Sequence, residues 1–178
     1  MVDAPNVSGQ GTFITAINAN GEVTGYYNDA TTFTIRGLVR DQGGNFTIFD
    51  APGAGINLGS GTYPFEVNLS GEVAGKYVDD NFINHSFVRD SSGNITDFDA
   101  PGARDTYAVS LNDSGIILGQ WTNSGFSYSG FLRDSSGNIT EFSAPVSNTG
   151  TYPDSINNSG RMTGYYYDLN GAVHGFVQ

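Results

Sequence analysis

The sequence contains no cysteine and few basic residues. Its 178 residues include seven Lys plus Arg against 18 Asp plus Glu, which gives a formal net charge of -11. Without cysteine the chain has no disulfide framework, thiolate nucleophile or cysteine-based metal site. Phosphate binding needs clustered Lys and Arg, so we expect neither a nucleic-acid partner nor binding to an anionic membrane surface.

Long hydrophobic runs are also missing. No apolar segment approaches the roughly 20 residues of a membrane-spanning helix. The opening VDAPNVSG, after Met1, has neither the basic start nor the apolar stretch of a secretory signal. We therefore expect no membrane span and no export signal within this sequence.

Glycine is abundant, with 25 residues, and it occurs together with many Asn, Ser, Thr and Tyr residues. This composition is typical of short strands joined by tight turns rather than of helices. With 38% hydrophobic residues, the chain is long enough to bury one sizeable core. The sequence predicts a single all-β domain.

An internal repeat is the most informative feature of the sequence. An Asn-x-x-Gly motif begins at Asn18, Asn68, Asn112 and Asn157. A second glycine follows four residues after each motif, and an aromatic residue stands two positions further on. An apolar landmark recurs at spacings of 49, 44 and 45 residues, at Leu38, Phe87, Phe131 and Phe176. A period of this length indicates a repeat architecture.

Between these landmarks, apolar and polar residues alternate over five to eight positions, as in half-buried strands. Asn-x-x-Gly and Asp-x-x-Gly-Asn are hairpin signals. Each unit is thus predicted to be a four-stranded antiparallel meander, the size of a β-propeller blade. The predicted blades are residues 12–52, 62–101, 106–145, and 151–178 completed by 2–5.

The fourth unit ends after its third predicted strand. The opening VDAP matches the FDAP that ends other units, so residues 2–5 are predicted to supply the last strand of blade four. This would close a four-bladed ring within one chain and remove an open sheet edge. We favour a monomer; the alternative is a dimer, by strand exchange or as an eight-bladed ring.

The motifs resemble those of a bacterial extracellular repeat family, the HAF family. The similarity rests on Asn-x-x-Gly-x-x-x-Gly-Tyr-Tyr, His-Gly-Phe and Gly-Asn-Ile-Thr-x-Phe-Asp-Ala-Pro-Gly. The histidine is kept at His85 and His174, whereas Arg36 and Ser129 replace it in the other units. The resemblance implies a secreted protein of unassigned function, often with more than four repeats, of which this chain would be a fragment or an engineered version.

One aromatic residue per unit could serve as a sugar platform: Tyr27, Tyr77, Trp121 and Tyr166. The competing interpretation, which we favour for this set, packs these rings between neighbouring blades. The residues that precede them, Tyr26 and Tyr165 among them, lie on the opposite face of the strand, where ligand or solvent would be.

Acidic residues and histidines recur just after these aromatics. Asp79 precedes His85 by six residues, and Asp168 precedes His174 by six, a spacing that could form a general-base pair. No nucleophile accompanies either pair. Oxygens for Ca²⁺ could instead be offered by a central channel lined by Asp29, Asp79, Asn123 and Asp168, or by Asp3, Asp50 and Asp99 with Ser143. We expect no cofactor, with Ca²⁺ as the alternative.

We expect function on the loops that differ between units. These are the insertion GAGINLGSGTYP, between the fourth strand of unit 1 and the first strand of unit 2, and the loop between the second and third strands of each unit. The candidate ligand-binding residues are Tyr26, Asp29, Asp79, His85, Trp121, Asn123, Phe126, Tyr165, Asp168 and His174. We expect a β-propeller scaffold that binds a partner and is not an enzyme. The first alternative is a carbohydrate-binding propeller, and the second is a hydrolase.

Overall fold

The computed structural model describes residues 2–5, 7–125, 127–144 and 150–178, with only the backbone of residues 7–10. These residues form fifteen β-strands and no helix, which confirms the all-β prediction. No described segment is a helix long and apolar enough to cross a membrane.

The strands fall into four successive antiparallel units. Unit 1 contains β1 (Val7–Ile17), β2 (Val23–Asp29), β3 (Ile35–Arg40) and β4 (Phe46–Phe49). Unit 2 contains β5 (Gly61–Val67), β6 (Val73–Val78), β7 (Asn84–Arg89) and β8 (Ile95–Phe98). Unit 3 contains β9 (Asp105–Leu111), β10 (Ile117–Thr122), β11 (Tyr128–Arg133) and β12 (Ile139–Phe142). Unit 4 contains β13 (Thr151–Ile156), β14 (Met162–Tyr167) and β15 (Val173–Val177).

Within each unit, consecutive strands pair in antiparallel order, and the first strand of every unit packs against the first strand of the next. A parallel bridge between Ile35 and Gly61 joins units 1 and 2 into one eight-stranded sheet. A similar bridge joins Tyr128 to Gly150. The chain is therefore a row of sheets with their first strands side by side.

The predicted ring closure is wrong for this structure. Unit 4 has three strands among the described residues, and residues 2–5 are not paired with β15. Ala4 instead packs against Tyr27 and Leu38 of unit 1, and its backbone N–H donates to Thr12 Oγ1 at 2.8 Å. No strand of unit 4 packs extensively on β1, β2 or β3 in the described part of the chain, so the segment lies on unit 1 without a third strand of unit 4 beside it.

The Asn-x-x-Gly motif forms the turn between the first two strands of every unit. In unit 2, Asn68 Oδ1 accepts hydrogen bonds from the N–H groups of Ser70 and Glu72, both at 3.0 Å. Gly71 has a φ of 76°, a left-handed conformation that glycine adopts without steric cost. The same pattern recurs in the other three units.

The second glycine of the repeat lies where two backbones approach closely. A Cβ built on Gly75 would stand 2.3 Å from the carbonyl oxygen of Tyr63, where β5 has a bulge between Pro64 and Glu66. The equivalent glycines 25, 119 and 164 face the same obstacle. Any side chain here would force the bulged strand away from its partner.

The motif asparagines also connect neighbouring units, in a series that we call the asparagine ladder. The side-chain Nδ2 of Asn18 donates to the backbone oxygen of Asn68 at 2.8 Å. That of Asn68 donates to Asn112 at 3.2 Å, and that of Asn112 donates to Asn157 at 3.1 Å. Each of the three donor residues is buried. The ladder therefore fixes the spacing of the units at one end of the row.

The hydrophobic core lies between units rather than within one sheet. Phe49 at the end of unit 1 meets Phe87 of unit 2 edge to face, with ring centroids 5.9 Å apart. Phe98 meets Phe131 in the same way at 6.1 Å. Each unit thus needs a neighbour to bury its apolar side chains, as is general for repeat folds.

A buried carboxylate links units 2 and 3. Asp105 Oδ1 accepts hydrogen bonds from the backbone N–H of Asn84 at 3.0 Å and from its side-chain Nδ2 at 2.9 Å, and Arg104 lies 2.7 Å from Oδ2. Burial acts to raise the pKa of Asp105, but the two hydrogen bonds from Asn84 outweigh it and hold the pKa below its usual value.

The Asp105→Asn variant is expected to reduce the acid sensitivity of the fold. The pKa of Asp105 is lower in the folded than in the unfolded state, so its stabilisation is present above the unfolded pKa and is lost as the pH falls through the folded one. Urea unfolding of both proteins at pH 7, 5, 4 and 3 measures this effect. The free energy of unfolding should fall less steeply below about pH 4 in the variant. Equal slopes would contradict the assignment.

Candidate functional site

The Asp or Asn that begins each loop between the second and third strands shapes that loop. Asp29 Oδ1 accepts hydrogen bonds from the N–H groups of Thr31 and Thr32 at 2.8 and 3.0 Å. These two bonds hold the pKa of Asp29 below its usual value. Asp79, Asn123 and Asp168 cap their own loops in the same manner. In each of these four residues, one side-chain oxygen is therefore occupied by the hydrogen bonds of its own turn.

A charged pair stands beside this loop in unit 1. The Arg36 guanidinium donates to both carboxylate oxygens of Asp50, with its Nη2 at 2.8 Å and its Nε at 3.2 Å. Its Nη1 also lies 3.9 Å from Asp29 Oδ2. Hydrogen bonding to Asp50 raises the pKa of Arg36. Arg36 and Asp50 both remain partly exposed, so the pair can reach a ligand.

Unit 2 has a histidine in the position of Arg36. His85 Nδ1 lies 2.8 Å from Asp99 Oδ2, while Nε2 lies 3.7 Å from Asp79 Oδ2. The imidazole stacks on Tyr77, with ring centroids 4.9 Å apart. A histidine oriented by a carboxylate has the geometry of a general base. His85 thus forms its hydrogen bond with Asp99 and not with Asp79, the partner predicted from the sequence.

Units 3 and 4 vary the same arrangement. Ser129 and Ser143 are hydrogen-bonded at 3.2 Å in unit 3. In unit 4, His174 Nε2 lies 3.3 Å from Asp168 Oδ2, as the spacing predicted. The pairs of units 1 to 3 all join residues that are 14 positions apart. Asp50 and Asp99 could have been found from this constant spacing across the third and fourth strands of each unit.

A cleft opens next to the pair in unit 1. It is lined by Thr32, Thr34, Arg36, Asp50 and Ile56. Ile56 belongs to an extended connection between β4 and β5, and its side chain is 77% exposed. We call these five residues the Arg36 cleft. None of the nine predicted site residues that the structure describes lines it, although Ile56 belongs to the insertion that the sequence singled out as a place for function.

The connection that carries Ile56 is anchored to unit 2. Asp80 Oδ1 accepts hydrogen bonds from the backbone N–H groups of Ile56 and Asn57 at 2.7 and 3.3 Å. Asn57 Nδ2 donates to the Asp80 carbonyl oxygen at 3.1 Å. These bonds hold the exposed side chain of Ile56 at a defined place beside Arg36. Unit 1 differs from the other units in this feature.

Two exposed phenylalanines occupy strained positions on the same loops. Phe33 has a φ of 59° and Phe82 a φ of 62°, in the left-handed region that bulky residues rarely adopt. Gly171 takes this conformation in unit 4 without strain. Exposed aromatics at positions better suited to glycine are typical of a functional surface.

The other predicted aromatic residues are packed to different degrees. Tyr77 is buried between units 1 and 2, as the packing interpretation expected, whereas Tyr27 is buried against Ala4 of the opening segment and Leu38 of its own unit. Trp121 is half-buried against the core of unit 3, and its indole N–H has no hydrogen-bond partner among the described residues. Phe126 lies outside the described residues. Trp121 is therefore not an exposed sugar platform.

Tyr26 and Tyr165 belong to a row of rings at the first strands. Tyr26 stacks on Phe13 at 5.2 Å and meets Tyr63 edge to face at 5.1 Å. Tyr165 stacks on Tyr152 at 4.9 Å. The nine predicted residues that the structure describes are thus distributed among this row, the core and the loop positions, and they are not gathered in one pocket.

The acidic residues do not form a metal centre in the part of the chain that is described. No group of three or more His, Asp or Glu side chains there has the arrangement needed to hold a metal ion. Asp50 and Asp99, proposed from the sequence to line a central channel, instead face third-strand residues of their own units. Their oxygens are used in those pairs.

Comparison with known proteins shows the fold but no family. No protein-family model and no curated protein matches the sequence. A streptogramin B lyase structure matches 93% of this chain with 13% identity and a TM-score of 0.55. A catalytically inactive virginiamycin B lyase from Staphylococcus aureus with quinupristin matches 96%, with 18% identity and a TM-score of 0.59. AofleA from Arthrobotrys oligospora matches 94%, with 15% identity and a TM-score of 0.53.

These neighbours are β-propellers, so the chain has an all-β fold of the propeller type. The chain covers 54%, 57% and 53% of the three neighbours, and thus spans about half their length. At such low identity the likeness shows the fold and transfers no reaction or ligand.

The comparison corrects one prediction. The sequence analysis expected a protein that is not an enzyme, and this expectation is wrong, because streptogramin B lyase and virginiamycin B lyase are enzymes with this fold. The grounds for that expectation were that Arg36 and Ser129 replace the histidine in two units and that no nucleophile accompanies the Asp/His pairs. Neither excludes catalysis on a propeller scaffold.

Proposed function

We propose that the protein is a β-propeller whose four repeat units are its blades, and that it binds a carbohydrate in the Arg36 cleft. The single observation that carries this proposal is that the extended connection places the exposed Ile56 beside the Arg36–Asp50 pair. Such a site offers polar and apolar contacts together.

The polar side of the cleft suits hydroxyl groups. Sugar hydroxyls both accept and donate hydrogen bonds, and Arg36 supplies donors while Asp50 supplies acceptors within one ion pair. Thr32 and Thr34, whose hydroxyls are hydrogen-bonded to each other at 2.8 Å, add groups of either kind. A ligand with adjacent hydroxyls can thus bridge the pair without displacing it.

The charge of the cleft favours a neutral ligand over an anion. Arg36 is balanced by Asp50 and lies close to Asp29, so no net positive charge is left to attract a phosphate or carboxylate. The net charge of -11 acts in the same direction. Ile56 and the neighbouring loop residue Phe33 offer exposed apolar surface of the kind that packs against the C–H face of a sugar ring.

The Arg36→Ala variant is expected to weaken sugar binding by about 10- to 100-fold, because hydrogen bonds to a charged group contribute roughly 1.5–3 kcal/mol. A glycan array with the unchanged protein would first identify a sugar, and calorimetric titration would then give the affinity of each variant. Arg161→Ala is the matched control, since this arginine is exposed on unit 4. Its affinity should be unchanged.

Two results would contradict the proposal. One is an array on which the unchanged protein binds no glycan. The other is an equal loss of affinity in Arg36→Ala and Arg161→Ala, which would indicate binding at another place. Circular dichroism of both variants checks that the fold is retained.

A further inference from the structure

The interface between adjacent units recurs three times and has one feature in common. The residue before each motif asparagine is buried against the preceding unit in units 2 to 4: Val67 is 4% exposed, Leu111 6% and Ile156 6%. Ile156, for example, clusters with Leu118 and Leu132 of unit 3. In the same way Val67 clusters with Phe49 of unit 1, and Leu111 clusters with Ala74 of unit 2.

Unit 1 presents the uncovered half of this interface, which we call the head face. Ile17 occupies the position of Val67 and Leu111, yet it is 68% exposed. Ile14 is also exposed, whereas its counterpart Ala108 is buried. No strand of unit 4 is among those that pack extensively on β1 in the described part of the chain. The head face is thus a junction surface without its partner.

Unit 4 presents the other half, which we call the tail face. Val177 stands in the position of Leu132 and is 63% exposed. Thr163 stands in the position of Leu118, which is fully buried, and is itself exposed. Gly175 is exposed as well, although its counterpart in unit 3, Gly130, is covered by Phe142. Head and tail therefore offer the two complementary sides of one repeated junction.

The hydrogen-bonding groups of the two faces match in the same way. The asparagine ladder stops at Asn157, whose Nδ2 has no acceptor within the described residues, and the Asn18 carbonyl oxygen is the equivalent acceptor on the head face. The asparagine ladder could therefore continue across a contact between a tail face and a head face. The new hydrogen bond would have the geometry of the three bonds that already exist within the chain.

The opening segment marks where the tail would attach. Ala4 donates to Thr12 just as Ala51 donates to Thr62, both at 2.8 Å. Residues 2–5 therefore hold the place on unit 1 that residues 49–52 hold on unit 2. Asp3 corresponds to Asp50 and Asp99, which pair with Arg36 and His85. The residue of unit 4 equivalent to Arg36 and His85 is His174, which lacks such a partner on a fourth strand.

We propose that two copies of this chain assemble head to tail into one ring of eight units, in which Asp3 of each copy pairs with His174 of the other. The partner is a second copy because each chain has one head face and one tail face of the same junction. The lengths of the structural neighbours also agree with a second copy, since one chain matches only 53% to 57% of a single-chain propeller. A head-to-tail contact that closes after two copies leaves no open sheet edge.

Light scattering after size exclusion tests the assembly. The unchanged protein should have twice the chain mass of 18.9 kDa. Ile17→Glu should give the mass of one chain, because a carboxylate would be buried in the junction. Ile56→Glu is the control, because Ile56 is also an exposed isoleucine but lies outside both faces. The mass of this variant should remain twice the chain mass. A single-chain mass for the unchanged protein, or larger masses that grow with concentration, would overturn the proposal.

Engineered cysteines test the pairing, because the chain has none of its own. A mixture of Asp3→Cys and His174→Cys proteins, oxidised and run on a non-reducing gel, should give a covalent dimer. Asp3→Cys mixed with Ser129→Cys should not. His85→Cys combined with Asp99→Cys in one chain controls for the geometry and should form an intrachain disulfide. An intrachain disulfide in the Asp3→Cys plus His174→Cys double variant would show closure within one chain and would refute the two-copy ring. Neither measurement depends on sugar binding.

Discussion

The Phe87→Ala variant is expected to lose about 3–5 kcal/mol of its free energy of unfolding. Phe87 has no exposed surface and contacts Phe49 of the preceding unit, within a cluster that includes Val73 and Tyr77. The truncation would leave a cavity at the junction of units 1 and 2, where sheet backbones on both sides limit collapse. Urea unfolding followed by tryptophan fluorescence and circular dichroism measures the loss.

Phe82→Ala is the matched control for Phe87→Ala. Phe82 lies five residues earlier on an exposed loop, and its truncation removes no core contact. We expect a change of no more than about 0.5 kcal/mol. Losses of similar size in the two variants would show that the core is not concentrated at the junctions.

The Asn68→Ala variant is expected to lose about 3 kcal/mol. The substitution removes the buried donor to the Asn112 carbonyl oxygen, and it removes the acceptor for the Ser70 and Glu72 N–H groups in a partly buried turn. Each polar group left buried without a partner costs roughly 1–3 kcal/mol. The loss should appear in urea unfolding as a lower midpoint with an unchanged slope.

Asn20→Ala separates the asparagine ladder from surface hydrogen bonding. Asn20 also bridges units 1 and 2, with its Nδ2 donating to the Leu69 carbonyl oxygen at 3.1 Å, but this bond is exposed to water. We expect a loss below about 1 kcal/mol for this variant. If Asn68→Ala were no worse than Asn20→Ala, the asparagine ladder would not hold the units together.

The local parts of the fold could be predicted from the sequence because their causes are local. Asn68 and Gly71 specify a turn through contacts that span four residues, and alternation around Phe87 specifies a half-buried strand. The contact from Asn68 to Asn112 spans 44 residues and depends on how far each sheet is rotated against the next. Nothing in the short-range pattern encodes that rotation.

The candidate site was harder to predict for a related reason. Positions repeated in every unit drew attention to Asp29, Asp79 and their equivalents, which are occupied in forming turns. The cleft instead depends on Ile56, which occurs once and reaches Arg36 only because Asp80 of the next unit holds its loop. A contact between a unique loop and a repeated strand requires the assembled structure.

The asparagine ladder has a consequence for how such genes change in length. Asn18 and Asn68, 50 positions apart, make the same set of bonds, so recombination between their codons would remove or duplicate one whole unit while keeping every junction bond type intact. The products would differ in their number of units. The hydrogen bonds of the motif asparagine at the crossover point would be the same in all of them. The number of units could therefore vary among descendants of one ancestral gene without any intermediate that fails to fold at the new junction.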